Sequence, residues 1–207
     1  MAERLGLPPS SVRLGPNIVE NPSFEQRQFG RFSGWQASYT IGNPNFNPAA
    51  FTVTADPVFS YDGTTSALIV GFWHGEQDRT RTRSMNGYQL WDEQSNNHYQ
   101  LKIEPGQAYL LSFAYRTEAV PETDTRVFFV PLGVDVPEIQ LIATRGQWRF
   151  YATVLCNPLD STMTVPVIIF RSSIAGRTWF DDVRLQAIAV RPPSPLNCPG
   201  SRISQSR

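Results

Sequence analysis

Between residues 17 and 190 the chain is cut into short stretches of alternating apolar and polar residues, each closed by a turn signal. Nowhere does a 3.6-residue apolar repeat run for the length of a helix, which leaves strands as the only regular element the pattern supports. Strands are expected near 17–24, 35–41, 51–55, 66–73, 98–104, 109–117, 125–130, 138–144, 147–155, 165–171 and 178–190. The breaks fall at Asn21-Pro22, Tyr61-Asp62-Gly63 and Glu104-Pro105-Gly106. Some ten short strands at this spacing predict an all-β fold of two packed antiparallel sheets. Residues 1–16, with Pro8, Pro9 and Pro16, read as a flexible N-terminal arm. Residues 17–190 read as one β-sandwich domain, and residues 191–207 as a Pro/Ser-rich C-terminal tail.

One stretch resists the pattern. TWFDDVRL, residues 178–185, sets two adjacent carboxylates in an apolar strand. Strict alternation sends Asp181 to the face of Val183 and Leu185, and Asp182 to the opposite, solvated face. A carboxylate on a core face needs a cation, an Arg or several hydrogen-bond donors.

The formal net charge is zero, so bulk charge gives no ground for a nucleic-acid partner. No apolar run approaches the roughly 20 residues of a membrane-spanning helix. The first residues lack the apolar stretch of a signal peptide, which leaves a cytoplasmic protein or a piece of a secreted one. Cys156 and Cys198 are the only cysteines, and both one disulfide and two free thiols are open. His74 and His98 are the only histidines. Neither lies in a metal-spacing motif or beside a nucleophile signature, so catalysis is not expected.

Five motifs in one order carry a resemblance. They are NIVENPSFE at 17–25 with Gly34-Trp35, DG at 62–63 with SAL at 66–68, PGQAYLLSF at 105–113, Gln147-Trp148, and the segment 176–185 with FDDVRL. Over roughly 17–190 this resembles the jelly-roll carbohydrate-binding modules of the cellulose- and xylan-binding, CenC-like type. The resemblance implies a galactose-binding-like sandwich that binds a polysaccharide without cutting it, as an accessory module of a glycoside hydrolase or part of a surface protein. It implies an extracellular or cell-surface location. It also implies a structural Ca2+ held by Glu25, Asp181 and a carbonyl at Thr64 or Thr65. The alternative for the two carboxylates is Arg partners or backbone amides.

A sugar site needs aromatic faces flanked by planar hydrogen-bonding groups. Trp35 and Trp148 are assigned to the core, Trp148 on one strand face with Phe150, Ala152 and Val154. Trp179 is read as structural. The polar segment 71–99 is where ligand contacts are expected: Trp73, Tyr88 and Trp91 as platforms, with Arg79, Arg81 and Gln89 as polar partners. A rim of Tyr39, Asn43, Asn45, Phe46 and Asn47 is a further possibility on composition. The competing reading is a structural or assembly domain whose 71–99 segment contacts a protein partner.

Overall fold

The structure, a computed structural model, describes residues 12–28, 31–39, 51–71, 86–92, 97–98, 101–119, 125–130, 139–156, 162–165, 167–172 and 176–190. Among them there is no helix. The first eight strands are β1 (Val12–Asn17), β2 (Arg27–Gln28), β3 (Arg31–Phe32), β4 (Trp35–Tyr39), β5 (Phe51–Asp56), β6 (Ser66–Gly71), β7 (Asn86–Asp92) and β8 (Asn97–His98). They are followed by β9 (Leu101–Ile103), β10 (Ala108–Glu118), β11 (Thr125–Val130), β12 (Ile139–Leu141), β13 (Arg149–Cys156), β14 (Met163–Val165), β15 (Val167–Ser172) and β16 (Gly176–Val190).

The main sheet runs β13-β10-β16-β6-β5, and β1 also pairs with β16. All its ladders are antiparallel. Residues 12–16, expected as part of an arm, instead extend the sheet, with Val12 opposite Val190. The other strands form smaller antiparallel sets, β4-β7-β8, β12-β11-β15, β9-β14 and β2-β3.

The core lies between the main sheet and these sets. Tyr109, Leu111, Phe113 and Tyr115 alternate along β10 and meet Phe180, Val183 and Leu185 of β16. Trp35, Ile103 and Leu141 close it from the opposite layer. Phe113 stacks on Tyr151 of β13 at 5.2 Å and meets Phe180 edge-on. This is the two-sheet antiparallel sandwich the strand pattern predicts. Burying the core rings supplies most of the driving force.

The NPSFE motif is a turn that closes one end. Asn21 donates through Nδ2 to the carbonyls of Gln26 and Ser33, and its Oδ1 accepts from the Gln26 amide. Trp35 donates its indole N–H to the carbonyls of Glu20 and Asn21. Phe24 then packs at about 5 Å from both Phe32 and Trp35. Trp35 is thus a core residue, as expected.

Candidate functional site

The site grows out of an irregularity in β16. Ala114 pairs with Asp181, but Ser112 pairs with Arg184, so Asp182 and Val183 together face the single residue Phe113. This is a β-bulge, with Asp182 at φ 49°. The extra residue changes which side chains share a face. Phe180, Val183 and Leu185 all reach the core. Trp179 and Asp181 fall on the outer face of the main sheet. Alternation had put Asp181 with Val183 and Leu185, and the bulge overturns that. Asp182, expected to be solvated, is buried and accepts a 2.6 Å bond from Arg184 Nε.

The segment 56–65 lies over this outer face and buries it. Asp56 accepts the Trp179 indole N–H at 2.7 Å. Phe59 meets Trp179 edge-on at 5.5 Å, and the Arg116 guanidinium sits 3.6 Å from the Phe59 ring centre. Trp179 is 1% exposed, in keeping with a structural role.

Asp181 is fully buried under the same segment. Its Oδ2 accepts the amides of Tyr61 at 2.7 Å and Asp62 at 3.0 Å, and its Oδ1 accepts the Asp182 amide at 2.7 Å. Burial pushes its carboxyl up to about 6, against the pull of those three amides. Glu25 holds the next part of the segment. It accepts the amides of Thr64 and Thr65 at 2.8 and 2.7 Å, and both threonine hydroxyls. Burial alone would raise the Glu25 carboxyl, but those bonds outweigh it and hold it below the usual value. Gly63 is required between the two anchors. It sits at φ +73°, and a Cβ there would come within 2.5 Å of Glu25 Oε1.

This donor set does not fit the calcium that the resemblance implies. A calcium ion takes six to eight oxygen ligands. Here N–H and O–H groups point at Asp181 and Glu25, and Thr64 turns its amide and hydroxyl to Glu25. The positive ends of amide dipoles already face both carboxylates. Among the described residues no three His, Cys, Asp or Glu side chains converge on one point. The arrangement matches the alternative reading, in which backbone amides satisfy the two carboxylates.

Beyond this clamp the segment leaves rings at the surface. Tyr61 uses its backbone N–H on Asp181, but its side chain is 50% exposed and meets Trp148 at 5.8 Å, with 57° between the planes. Phe150, two residues after Trp148 and opposite Ala114 in the register, is 54% exposed. Tyr151 next to it faces the core. Trp148, Phe150, Ala152 and Val154 do share a side, but it is the outer side of an edge strand. Trp148 is half-buried. The assignment of Trp148 to the core is therefore corrected. Both faces of 148–155 carry apolar residues, so alternation alone could not choose between them. Val58 and Ile142 add exposed aliphatic surface in 56–65 and 142–150.

The segment 71–99 is only partly described. Tyr88, Gln89 and Trp91 lie on β7, where Tyr88 stands opposite Ala37, Gln89 opposite Gln36, and Trp91 opposite His98. Trp73, Arg79 and Arg81 lie outside the described residues, as do Asn43, Asn45, Phe46, Asn47 and Cys198. Tyr61, Trp148 and Phe150 were not among the predicted ligand contacts. Their one visible signal was the abundance of aromatics, since nothing in the sequence marks 56–65 as lying across a sheet face.

No protein-family model and no curated protein matches the chain. Solved structures do. The likeness is one of fold. A cyclase from Fischerella sp. aligns over 86% of this chain and 97% of its own, at 15% identity and a TM-score of 0.54. The enzymatically active domain of bacteriophage CBA120 tailspike protein 4 aligns over 82% of this chain at 20% identity and a TM-score of 0.53, and this chain spans 21% of that one. The CBM22-1 xylan-binding domain of Paenibacillus barcinonensis Xyn10C aligns over 83% of this chain and 93% of its own, at 15% identity and a TM-score of 0.45.

Proposed function

We propose that the chain is a noncatalytic carbohydrate-binding domain that holds a polysaccharide on the aromatic strip of Tyr61, Trp148 and Phe150. The observation that carries this reading is the exposure of two of these rings beside a half-buried third, on a backbone fixed by the Asp181 and Glu25 clamps. Sugar rings offer apolar C–H faces to aromatic planes, and a ring already held in place loses little freedom on binding. The 57° tilt between Tyr61 and Trp148 makes a stepped surface. A stepped surface suits a single, twisted glycan chain better than the flat face of a crystalline polymer. Gln147, exposed in the turn before Trp148, offers an amide to hydroxyl groups. Tyr88, Gln89 and Trp91 on β7, with Trp73, Arg79 and Arg81, stay in the proposal as a second group of contacts. An extracellular or cell-surface setting belongs to the same reading, as does attachment to a larger, carbohydrate-directed protein.

The test is calorimetric titration with soluble β-glucan, xylan and galactan. At least one polymer should bind, and Tyr61→Ala and Trp148→Ala should each weaken it about ten-fold, the worth of one stacking contact. Binding that survives both substitutions but is lost in Trp73→Ala with Trp91→Ala would move the site to the other group. A second reading, an assembly domain, is favoured by the exposed aliphatic side chains of Val58 and Ile142. It predicts no glycan binding and a concentration-dependent sedimentation coefficient.

A further inference from the structure

The end of β10 and the turn before Trp148 enclose a cavity. Among the described residues, Thr117, Glu118, Ala119, Ala143, Arg145 and Gly146 line a space of about 470 Å³ that opens to solvent. That volume has room for about one or two sugar rings. Its turn leads straight into the aromatic strip. Gly146 donates its amide to the Thr117 carbonyl at 2.7 Å, Gln147 donates its own to the Thr144 carbonyl at 3.2 Å, and Trp148 is the next residue.

The walls are fixed before any ligand arrives. Thr117 and Thr144 lock to each other, each donating its amide to the other's hydroxyl at 2.8 and 2.7 Å. A Cβ on Gly176 would come within 2.4 Å of the Glu118 carbonyl oxygen and 2.6 Å of that of Ala119, so backbone packs on backbone behind this wall.

Glu118 is the acceptor in the wall. Arg116 Nη2 donates to its Oε1 in an ion pair. The Arg116 guanidinium is itself held, 3.6 Å from the ring centre of Phe59 and 5.0 Å from that of Trp179. A buried, stacked partner therefore aims the carboxylate. A Cβ on Gly146 would lie 3.5 Å from Glu118 Oε1 and 3.7 Å from Arg116 Nη2, so the ion pair stands against the turn of the cavity. Glu118 makes no other hydrogen bond or ion pair, and its side chain is 33% exposed. Its Oε2 is left to accept from a ligand. Arg177, opposite Glu118 in the β10–β16 register, makes no ion pair with it.

The charges narrow the choice of ligand. The described lining carries one cation, Arg145, and one anion, Glu118, and Arg116 already neutralises that anion. A balanced lining favours neither an acidic nor a basic sugar. What it offers is an aimed carboxylate oxygen, and a hydroxyl bonded to a carboxylate makes a short bond about twice as strong as one between neutral groups.

We infer, on the carbohydrate-binding reading, that this cavity takes a neutral terminal sugar unit of the polysaccharide lying on the aromatic strip, with Glu118 accepting its hydroxyl protons. A space for about one or two rings suits a terminus better than a chain running through it. Single-sugar branches and chain ends both supply such a unit.

The test is calorimetry on branched and linear polymers of one backbone. One pair is galactomannan and the same polymer trimmed of its single-galactose branches, and the other is arabinoxylan and its trimmed form. Linear oligosaccharides of mannan, xylan and cellulose supply chain ends without branches. A branched polymer, or an oligosaccharide, should bind about ten-fold or more tightly than the long linear polymer, the worth of one charge-assisted hydrogen bond. Preference for the branched member assigns the cavity to a branch, and preference for the oligosaccharide assigns it to a chain end. Glu118→Gln, which keeps the shape, and Ala143→Leu, which fills the cavity without touching the ion pair, should each erase that preference and leave the long linear polymer's affinity unchanged. If Glu118→Gln fails to fold because Arg116 loses its partner, Ala143→Leu decides alone. Equal binding of branched, linear and short ligands, lost in Trp148→Ala, overturns this inference and leaves the aromatic strip standing. A preference that persists in the folded variants overturns it as well. If no polymer or oligosaccharide binds, both readings fail together.

Discussion

Trp179 and Trp148 lie on the same outer face of the main sheet, under or beside the same segment, and differ in almost everything else. Trp179 is 1% exposed, with its indole N–H on Asp56, Phe59 against one edge and the Arg116 guanidinium 5.0 Å from its ring centre. Trp148 is half-buried and meets one exposed tyrosine ring. The difference is set by how far the segment 56–65 reaches. It is pinned at Asp181 and Glu25, and it covers the face as far as those pins hold it. Tyr61 sits at the boundary, with its backbone in the clamp and its ring in the strip. One tryptophan is therefore sealed into the fold, and the other keeps part of its ring at the surface, where the proposal puts a ligand.

Substitution at the buried side should have the largest effect. Trp179→Ala removes a fully buried indole and should cost about 3–5 kcal/mol in denaturant unfolding, with binding lost only as the fold is lost. Trp148→Ala should cost about 1 kcal/mol or less by the same measurement. Equal losses at the two positions would erase the distinction between them.

Asp181→Ala comes next. It strands the amides of Tyr61, Asp62 and Asp182; the first two belong to exposed residues that water can reach, so the loss should be about 1–3 kcal/mol, the cost of the one buried donor. It should also release Tyr61, so glycan affinity should fall together with stability. Gly63→Ala should act in the same direction through Glu25, because its Cβ has no room. A chelator should leave the melting temperature unchanged, since amides and hydroxyls already occupy both carboxylates. A chelator-induced drop that calcium restores would contradict the clamp described here.

The smallest effect is on pH dependence. Asp181 binds its proton more tightly folded than unfolded, since burial raises it from 3.8 to about 6. Its contribution to stability therefore grows as the pH falls from about 6 to about 4, and is lost as the pH rises through that window. Glu25, held low, acts in the opposite sense: its contribution is present above its unfolded value of 4.5 and lost on further acidification. Subtracting the unfolding free energies of Asp181→Asn from those of the wild type across pH 4–7 isolates the first trend. A flat difference would mean that Asp181 is ionised throughout.

The sandwich was legible because it depends on local rules. The alternation of Tyr109, Leu111, Phe113 and Tyr115 and the turn chemistry of Asn21-Pro22 and Pro105-Gly106 each specify their own segment. The puzzle at Asp181-Asp182 was legible as a puzzle. Its solution was not, because one bulged residue moves every later side chain to the other face, and alternation cannot announce it. Trp148 was misassigned for a related reason. Its strand is apolar on both faces and lies at a sheet edge, so burial was decided by where a distant segment stops. The corner where 116–119 meets 143–146 and 176–177 was hidden more completely. Residues 116–119, 143–146 and 176–177 are far apart in the chain, and only the β10–β16 ladder and the Thr117–Thr144 lock bring them together.

The most direct test compares wild type and Trp148→Ala in two measurements, thermal unfolding and titration with the polymer that binds best. A ring that serves the ligand predicts melting temperatures within about 3 °C of each other, as expected for a change near 1 kcal/mol or less, and an affinity about ten-fold lower in the variant. Unchanged affinity with the same melting temperatures would contradict the assignment of this strip as the site.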